Sequence, residues 1–151
     1  MKKIVFLFCL SSISIFADDY SIVVTGDPNF IICDAKAGES PTQVIGTPCS
    51  YSIDITTTSE KKKKKEKKAK ITGELQNTTL PNGSNLFVQL SIDKGNGRSQ
   101  GFQKLRSNKS VTLVRSIIKK ASNQEVLYKY LPSVHTKESF RVEVLYTILE
   151  Q

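Results

Sequence analysis

Along most of its length this chain alternates apolar and polar residues with a period of two, and no other feature constrains its fold as much. A strand turns successive side chains to opposite faces, so such a segment buries one face and wets the other. Residues 50–58, SYSIDITTT, set Tyr51, Ile53 and Ile55 against Ser52, Asp54 and Thr56. Residues 69–76, AKITGELQ, set Ile71, Gly73 and Leu75 against Lys70, Thr72 and Glu74. Residues 85–93 place Leu86, Val88, Leu90 and Ile92 in one phase, and residues 110–118, SVTLVRSII, are rich in β-branched residues. Residues 126–131, VLYKYL, read as a strand that follows a polar turn at 121–123 and ends at Pro132. In residues 139–149, Phe140, Val142, Val144, Tyr146 and Ile148 share a face. That segment is the longest and best patterned, which predicts a strand in the middle of a sheet. Residues 20–25 and 29–33 are shorter strands. No 12-residue window keeps a helical period, and residues 115–121 allow one helical turn at most.

Turn chemistry separates these segments. Pro81-Asn82-Gly83 has the residues of a tight turn, since proline presets φ while asparagine and glycine accept positive φ. Residues 94–101, KGNGRSQG, do not match a phosphate-binding loop and precede no helix pattern, so they read as a turn. The total is seven to nine strands. The predicted fold is all-β, a two-sheet antiparallel sandwich, with a small barrel as second choice.

The first seventeen residues stand apart. Lys2 and Lys3 precede an apolar run that closes on Phe16-Ala17, the order of a secretory signal peptide. We read 1–17 as a cleaved signal and 18–151 as one domain with an exposed lysine-rich loop at 60–70. The destination is outside the cytoplasm: periplasm, cell surface or medium. No later apolar run reaches the ~20 residues of a membrane-spanning helix. Cys9 lies inside the apolar run behind Phe8, which is not the setting of a lipidated cysteine. Cys33 and Cys49 remain, and in an exported chain an isolated pair is most simply one structural disulfide. Its loop of about 15 residues would contribute roughly 3 kcal/mol.

The formal charge of +8 is local. Apart from Lys2 and Lys3, 20 basic residues face 14 acidic ones; residues 60–70 hold eight lysines and two glutamates, and twelve of each sign remain elsewhere. The lysines are Lys61, Lys62, Lys63, Lys64, Lys65, Lys67, Lys68 and Lys70. One reading is a solvated, self-repelling loop. The other is a polyanion patch for acidic glycan or anionic lipid head groups, salt-sensitive and non-specific. Interleaved aromatics and arginines are missing from the run, which argues against sequence-specific nucleic-acid recognition.

Catalytic patterns are sparse. His135, in the polar segment PSVHTKES, is the only histidine, too little for a Ser-His-Asp triad or a histidine metal site. Asp27, Asp34, Asp54, Glu74 and Asp93 are the candidate carboxylates for glycoside chemistry, but no pattern selects two of them, and the chain has no tryptophan. No enzyme, cofactor or metal is expected. Asn77, Asn82 and Asn108 open N-x-[ST] sequons that matter only in a eukaryotic secretory route, and the short basic start reads as bacterial.

The order of segments resembles a family. SYSIDITTT, then KITGELQNTTLPNGSNLFVQLSI, then SVTLVRSI, then NQEVLYKYL, then the terminal VEVLYTI are similar to small exported bacterial β-sandwich proteins of the spore coat protein U and fimbrial subunit type. The resemblance covers residues 50–151 and is one of pattern; the lysine run and the Cys33/Cys49 placement depart from it. It implies an immunoglobulin-like or pilin-like sandwich and a non-enzymatic envelope or surface protein. The implied partners are copies of itself or other envelope proteins, engaged by strand addition. The candidate donor is residues 19–25, DYSIVVT, and the competing expectation is that this strand belongs to the protein's own sheet.

Overall fold

A computed structural model describes residues 2–6, 20–26, 28–33, 42–55, 68–76, 80–133 and 142–151. These residues form twelve strands and no helix. They are β1 (Lys2–Phe6), β2 (Tyr20–Thr25), β3 (Asn29–Cys33), β4 (Val44–Ile45), β5 (Cys49–Ile55), β6 (Ala69–Gln76), β7 (Asn85–Leu90), β8 (Arg98–Ser99), β9 (Gln103–Lys104), β10 (Val111–Ile117), β11 (Ala121–Leu131) and β12 (Glu143–Glu150). β1 pairs antiparallel with β3, from Lys2 opposite Cys33 to Phe6 opposite Asn29. The remaining ten make two antiparallel sheets. One has six strands in the order β2-β5-β11-β7-β9, with β4 also on β11; the other has four in the order β12-β6-β10-β8. The protein is the all-β, two-sheet antiparallel sandwich that its alternation implies.

The inward phase of each strand fills the space between the sheets. Tyr51, Ile53, Ile71, Leu75, Leu86, Val88, Leu90, Val126, Tyr128, Val144 and Ile148 are all buried, as their period-two positions require. Burying each such side chain contributes about 1.5–3 kcal/mol. All five tyrosines are inside: Tyr20, Tyr51, Tyr128, Tyr130 and Tyr146. Their hydroxyls need partners in an apolar space. Tyr128 on the six-stranded sheet and Tyr146 on the four-stranded sheet share a hydrogen bond of 2.5 Å across the core. Tyr51 donates to the Ser91 carbonyl. Burial, with the Asp93 carboxylate as a smaller cause, holds the Tyr51 phenol far above the usual tyrosine range.

From β5 onward every successive strand lies in the other sheet. Strands adjacent in sequence therefore do not pair, and each ladder in the two sheets joins distant parts of the chain. This decides how the strands around the lysine run are related and corrects the expected place of the last strand. β5 and β6, which flank the lysine run, are not the arms of a hairpin, because they belong to opposite sheets. The last strand is not central. Among the described residues β12 ends the four-stranded sheet and pairs only with β6, over eight residues from Glu143 opposite Gln76 to Glu150 opposite Ala69. The central strand is β11, the longest at eleven residues, with β5 and β4 on one side and β7 on the other.

β11 also begins earlier than its polar start implies. Residues 121–123 are in the strand, and the ladder with β5 shifts between Ala121 and Gln124 at a bulge where Asn123 takes φ 52°. Asparagine tolerates this conformation, and the bulge absorbs the polar residues. A second irregularity joins β4 to β5. Ile45 faces Lys129 and Cys49 faces Val126, so four steps oppose three, and Pro48 in the gap has no N–H to give the ladder. The Gly46 amide still bonds the Tyr128 carbonyl at 3.0 Å.

The turn at Pro81-Asn82-Gly83 forms as its chemistry predicts. The Ser84 amide donates to the Pro81 carbonyl at 2.9 Å, and Gly83 has φ 79°. The glycine-rich segment is more than a turn, because Arg98 and Ser99 form β8 against β10.

Candidate functional site

The two strands that carry the lysine run leave the sandwich at one corner. Ile55, the last residue of β5, pairs with Tyr20, and Ala69, the first of β6, pairs with Glu150. β2 and β12 lie against each other at this border of the two sheets. Residues 56–68 thus form a crossover between sheets, starting and ending on paired strands. Lys61, Lys62, Lys63, Lys64, Lys65 and Lys67 lie outside the described residues. Lys68 is exposed at the return, its carbonyl accepting the Gln151 amide at 2.6 Å, and Lys70 is half-buried in β6.

Cys49 opens β5 as a buried residue. Its Sγ lies 3.8 Å from the Thr47 carbonyl and 3.4 Å from where a Cβ on Gly26 would stand. The backbone of Cys33 ends β3, but its side chain lies outside the described residues, and so does the expected Cys33–Cys49 disulfide.

The candidate carboxylates are dispersed. Asp54 is exposed on β5 opposite Ser21, in the six-stranded sheet. Glu74 belongs to the four-stranded sheet, where its oxygens accept hydrogen bonds from Gln76 Nε2 and Ser110 Oγ, both at 2.8 Å. Asp93 sits in the turn after β7, with its carbonyl accepting the Asn96 amide. These three come from different elements, and none is bonded to another. Asp27, Asp34 and His135 lie outside the described residues. Among the described residues no three His, Cys, Asp or Glu side chains gather where a metal ion could be held, and no helix is long and apolar enough to cross a membrane.

Two surface features were not legible in the sequence. The first is a cleft of about 320 Å³ on the outer face of the six-stranded sheet, lined by Ser21, Val23, Ser52, Asp54, Lys120 and Ser122. Ser122 belongs to the β11 bulge, where the Asn123 amide donates to Ser52 Oγ at 3.1 Å. The second is a cation held between rings on the same sheet. The Lys129 ammonium lies 5.1 Å from the centre of the Phe87 ring and 4.5 Å from that of Phe102. Each ring is within the ~6 Å at which its negative face attracts a cation. Phe87 and Lys129 face each other across the β7–β11 ladder, and Phe102 stands just before β9, 27 residues from Lys129 in the chain. The only advance signal was that Phe87 and Lys129 fall on the outward phase of their strands.

No family model, no curated protein and no solved structure matches this chain.

Proposed function

We propose that this chain is an exported, non-enzymatic β-sandwich of the bacterial envelope that acts as a structural or interaction module. The observation that carries the reading is the placement of charge on the fold. A packed two-sheet frame, with equal numbers of acidic and basic residues outside the signal and the run, anchors both ends of one strongly basic crossover. The signal-like residues 1–17 support export, and export in turn supports a Cys33–Cys49 disulfide.

Within this reading a fimbria-like subunit would use strand addition, as the resemblance implies. The pairing of β2 favours the other role for residues 20–25. All six of them register with β5, from Tyr20 opposite Ile55 to Thr25 opposite Ser50, and Tyr20, Ile22 and Val24 are buried in the protein's own core. An immunoblot of native envelopes with and without boiling in detergent tests assembly. A heat-sensitive ladder means strand-exchanged polymers, whereas one monomer band in both lanes removes the fibre version and leaves a solitary module.

The alternative is a secreted polyanion-binding module that presents Lys61, Lys62, Lys63, Lys64, Lys65, Lys67, Lys68 and Lys70 to acidic glycan or anionic lipid. The pairing of the strands at both ends of the run favours it, because eight lysines within eleven residues are tethered to the frame on either side. Replacing all eight by serine abolishes such binding and leaves the fold and any assembly intact.

A further inference from the structure

The outer face of the six-stranded sheet carries a cross-strand row made by the register alone. Ile45 on β4 faces Lys129 on β11, Lys129 faces Phe87 on β7, and Phe87 faces Lys104 on β9. The row contains two cations and no carboxylate. Ile45 is 61 % exposed at one end of the row. Along β7, Asn85 and Gln89 stand two residues to either side of Phe87 in the same outward phase, each half-buried. Neighbouring strands are about 4.8 Å apart, which puts Lys104 and Lys129 roughly 10 Å from each other across the sheet.

The chemistry of this row is specific. Lys129 is held by Phe87 and Phe102, so part of the rotamer entropy that a free lysine loses on binding is already spent. Its ammonium keeps N–H donors for an anion, because the aromatic contacts are electrostatic and take no hydrogen-bond acceptor. The flanking amides of Asn85 and Gln89 can donate to and accept from hydroxyls. Two cations about two strand spacings apart, beside aromatic rings and amides, match a chain that alternates carboxylates with hydroxyl-rich rings. We infer that this face, built on Lys129, Lys104, Phe87, Phe102, Asn85 and Gln89, is a binding surface for a linear acidic polysaccharide that lies across the strands.

Single-stranded nucleic acid fits less well. It uses aromatic rings as bare stacking platforms, and here each ring turns a face to the Lys129 ammonium. The assignment stands apart from the lysine crossover, which leaves the sandwich between β5 and β6.

The test is fluorescence anisotropy with labelled polygalacturonate oligomers at about 0.15 M salt, where exposed long-range charge effects are largely screened. The full chain is compared with Lys129→Gln, with Phe102→Ala and with the eight-lysine serine variant; neutral dextran, an oligothymidine and phosphatidylglycerol vesicles serve as competitors. Thermal unfolding followed by circular dichroism checks each variant, and Lys104→Gln, which changes an exposed side chain, covers the case in which Phe102→Ala fails to fold. The expected result is saturable binding that Lys129→Gln weakens about tenfold and Lys104→Gln severalfold, as loss of a charged hydrogen bond does. The serine variant changes it less than either. Three results overturn the inference: equal binding by Lys129→Gln and wild type, loss of binding only in the serine variant, or stronger competition by oligothymidine, vesicles or dextran than by unlabelled polygalacturonate. The second of these would move the polyanion site to the crossover.

Discussion

Replacing Asn96 should destabilise this protein more than any polar change on its surface. Asn96 lies between β7 and β8 and is buried at 6 % exposure. It holds residues 118–120, the three-residue link by which the chain passes from β10 in one sheet to β11 in the other. Its Oδ1 accepts the Lys119 amide at 2.7 Å and the Ile118 amide at 3.3 Å. Its Nδ2 donates to the carbonyls of Lys119 at 3.0 Å and Lys120 at 3.5 Å. So short a passage between sheets leaves backbone groups without strand partners, and one side-chain amide satisfies them on both polarities. Asn96→Ala removes two short bonds worth about 1 kcal/mol each and two weaker ones; because the Lys119 side of the link is exposed, water recovers part of the loss. The expected cost is about 2–3 kcal/mol, a fall in Tm of roughly 6–12 °C for a domain of this size. Thermal unfolding by circular dichroism measures the cost, and hydrogen exchange at the Lys119 amide reports the site, where protection should fall. A Tm within about 2 °C of wild type, or unchanged protection at Lys119, would refute the claim that one side chain pins the passage.

Further outcomes follow from the core and its turns. In a double-mutant cycle, Tyr128→Phe and Tyr146→Phe should each cost about 1–3 kcal/mol, with the double variant well short of their sum, because each hydroxyl is the other's partner across the sheets; additive denaturant midpoints would contradict this. Tyr51 has its folded pKa raised above the unfolded value, so the stability it lends is full below about pH 10 and is lost as pH rises toward the folded value. Its phenolate absorbance should therefore appear together with alkaline unfolding; ionisation while the sheets remain intact would argue against burial. Gly97→Ala should destabilise by about 1–3 kcal/mol, because φ is 145° and the added Cβ would stand 3.0 Å from the Arg115 carbonyl oxygen. Urea unfolding of that variant reads the cost, and a neutral result would mean the loop shifts freely.

Much of the architecture was legible because burial in a strand is a local property. Each inward residue of β5, β6, β7 and β12 follows from period two, whatever partner the strand finds. The turn at Gly83 was legible for the same reason, since residues 81–84 close it alone. The candidate site was less so. The eight lysines are visible as composition, but the corner from which they leave depends on β5 and β6 lying in opposite sheets.

The amino-acid sequence by itself determined the class of this protein, the faces its strands bury, and the concentration of its charge in one run, because these depend on neighbours a few residues apart. Tertiary structure alone decided that β11 and not β12 is central, that consecutive strands from β5 onward alternate between sheets, that Asn96 holds residues 118–120, and that Phe87 and Phe102 flank Lys129. Each of these is a contact between residues distant in the chain. Its energy depends on which of several strand pairings the whole molecule adopts, and alternation constrains a strand's face without naming its neighbour.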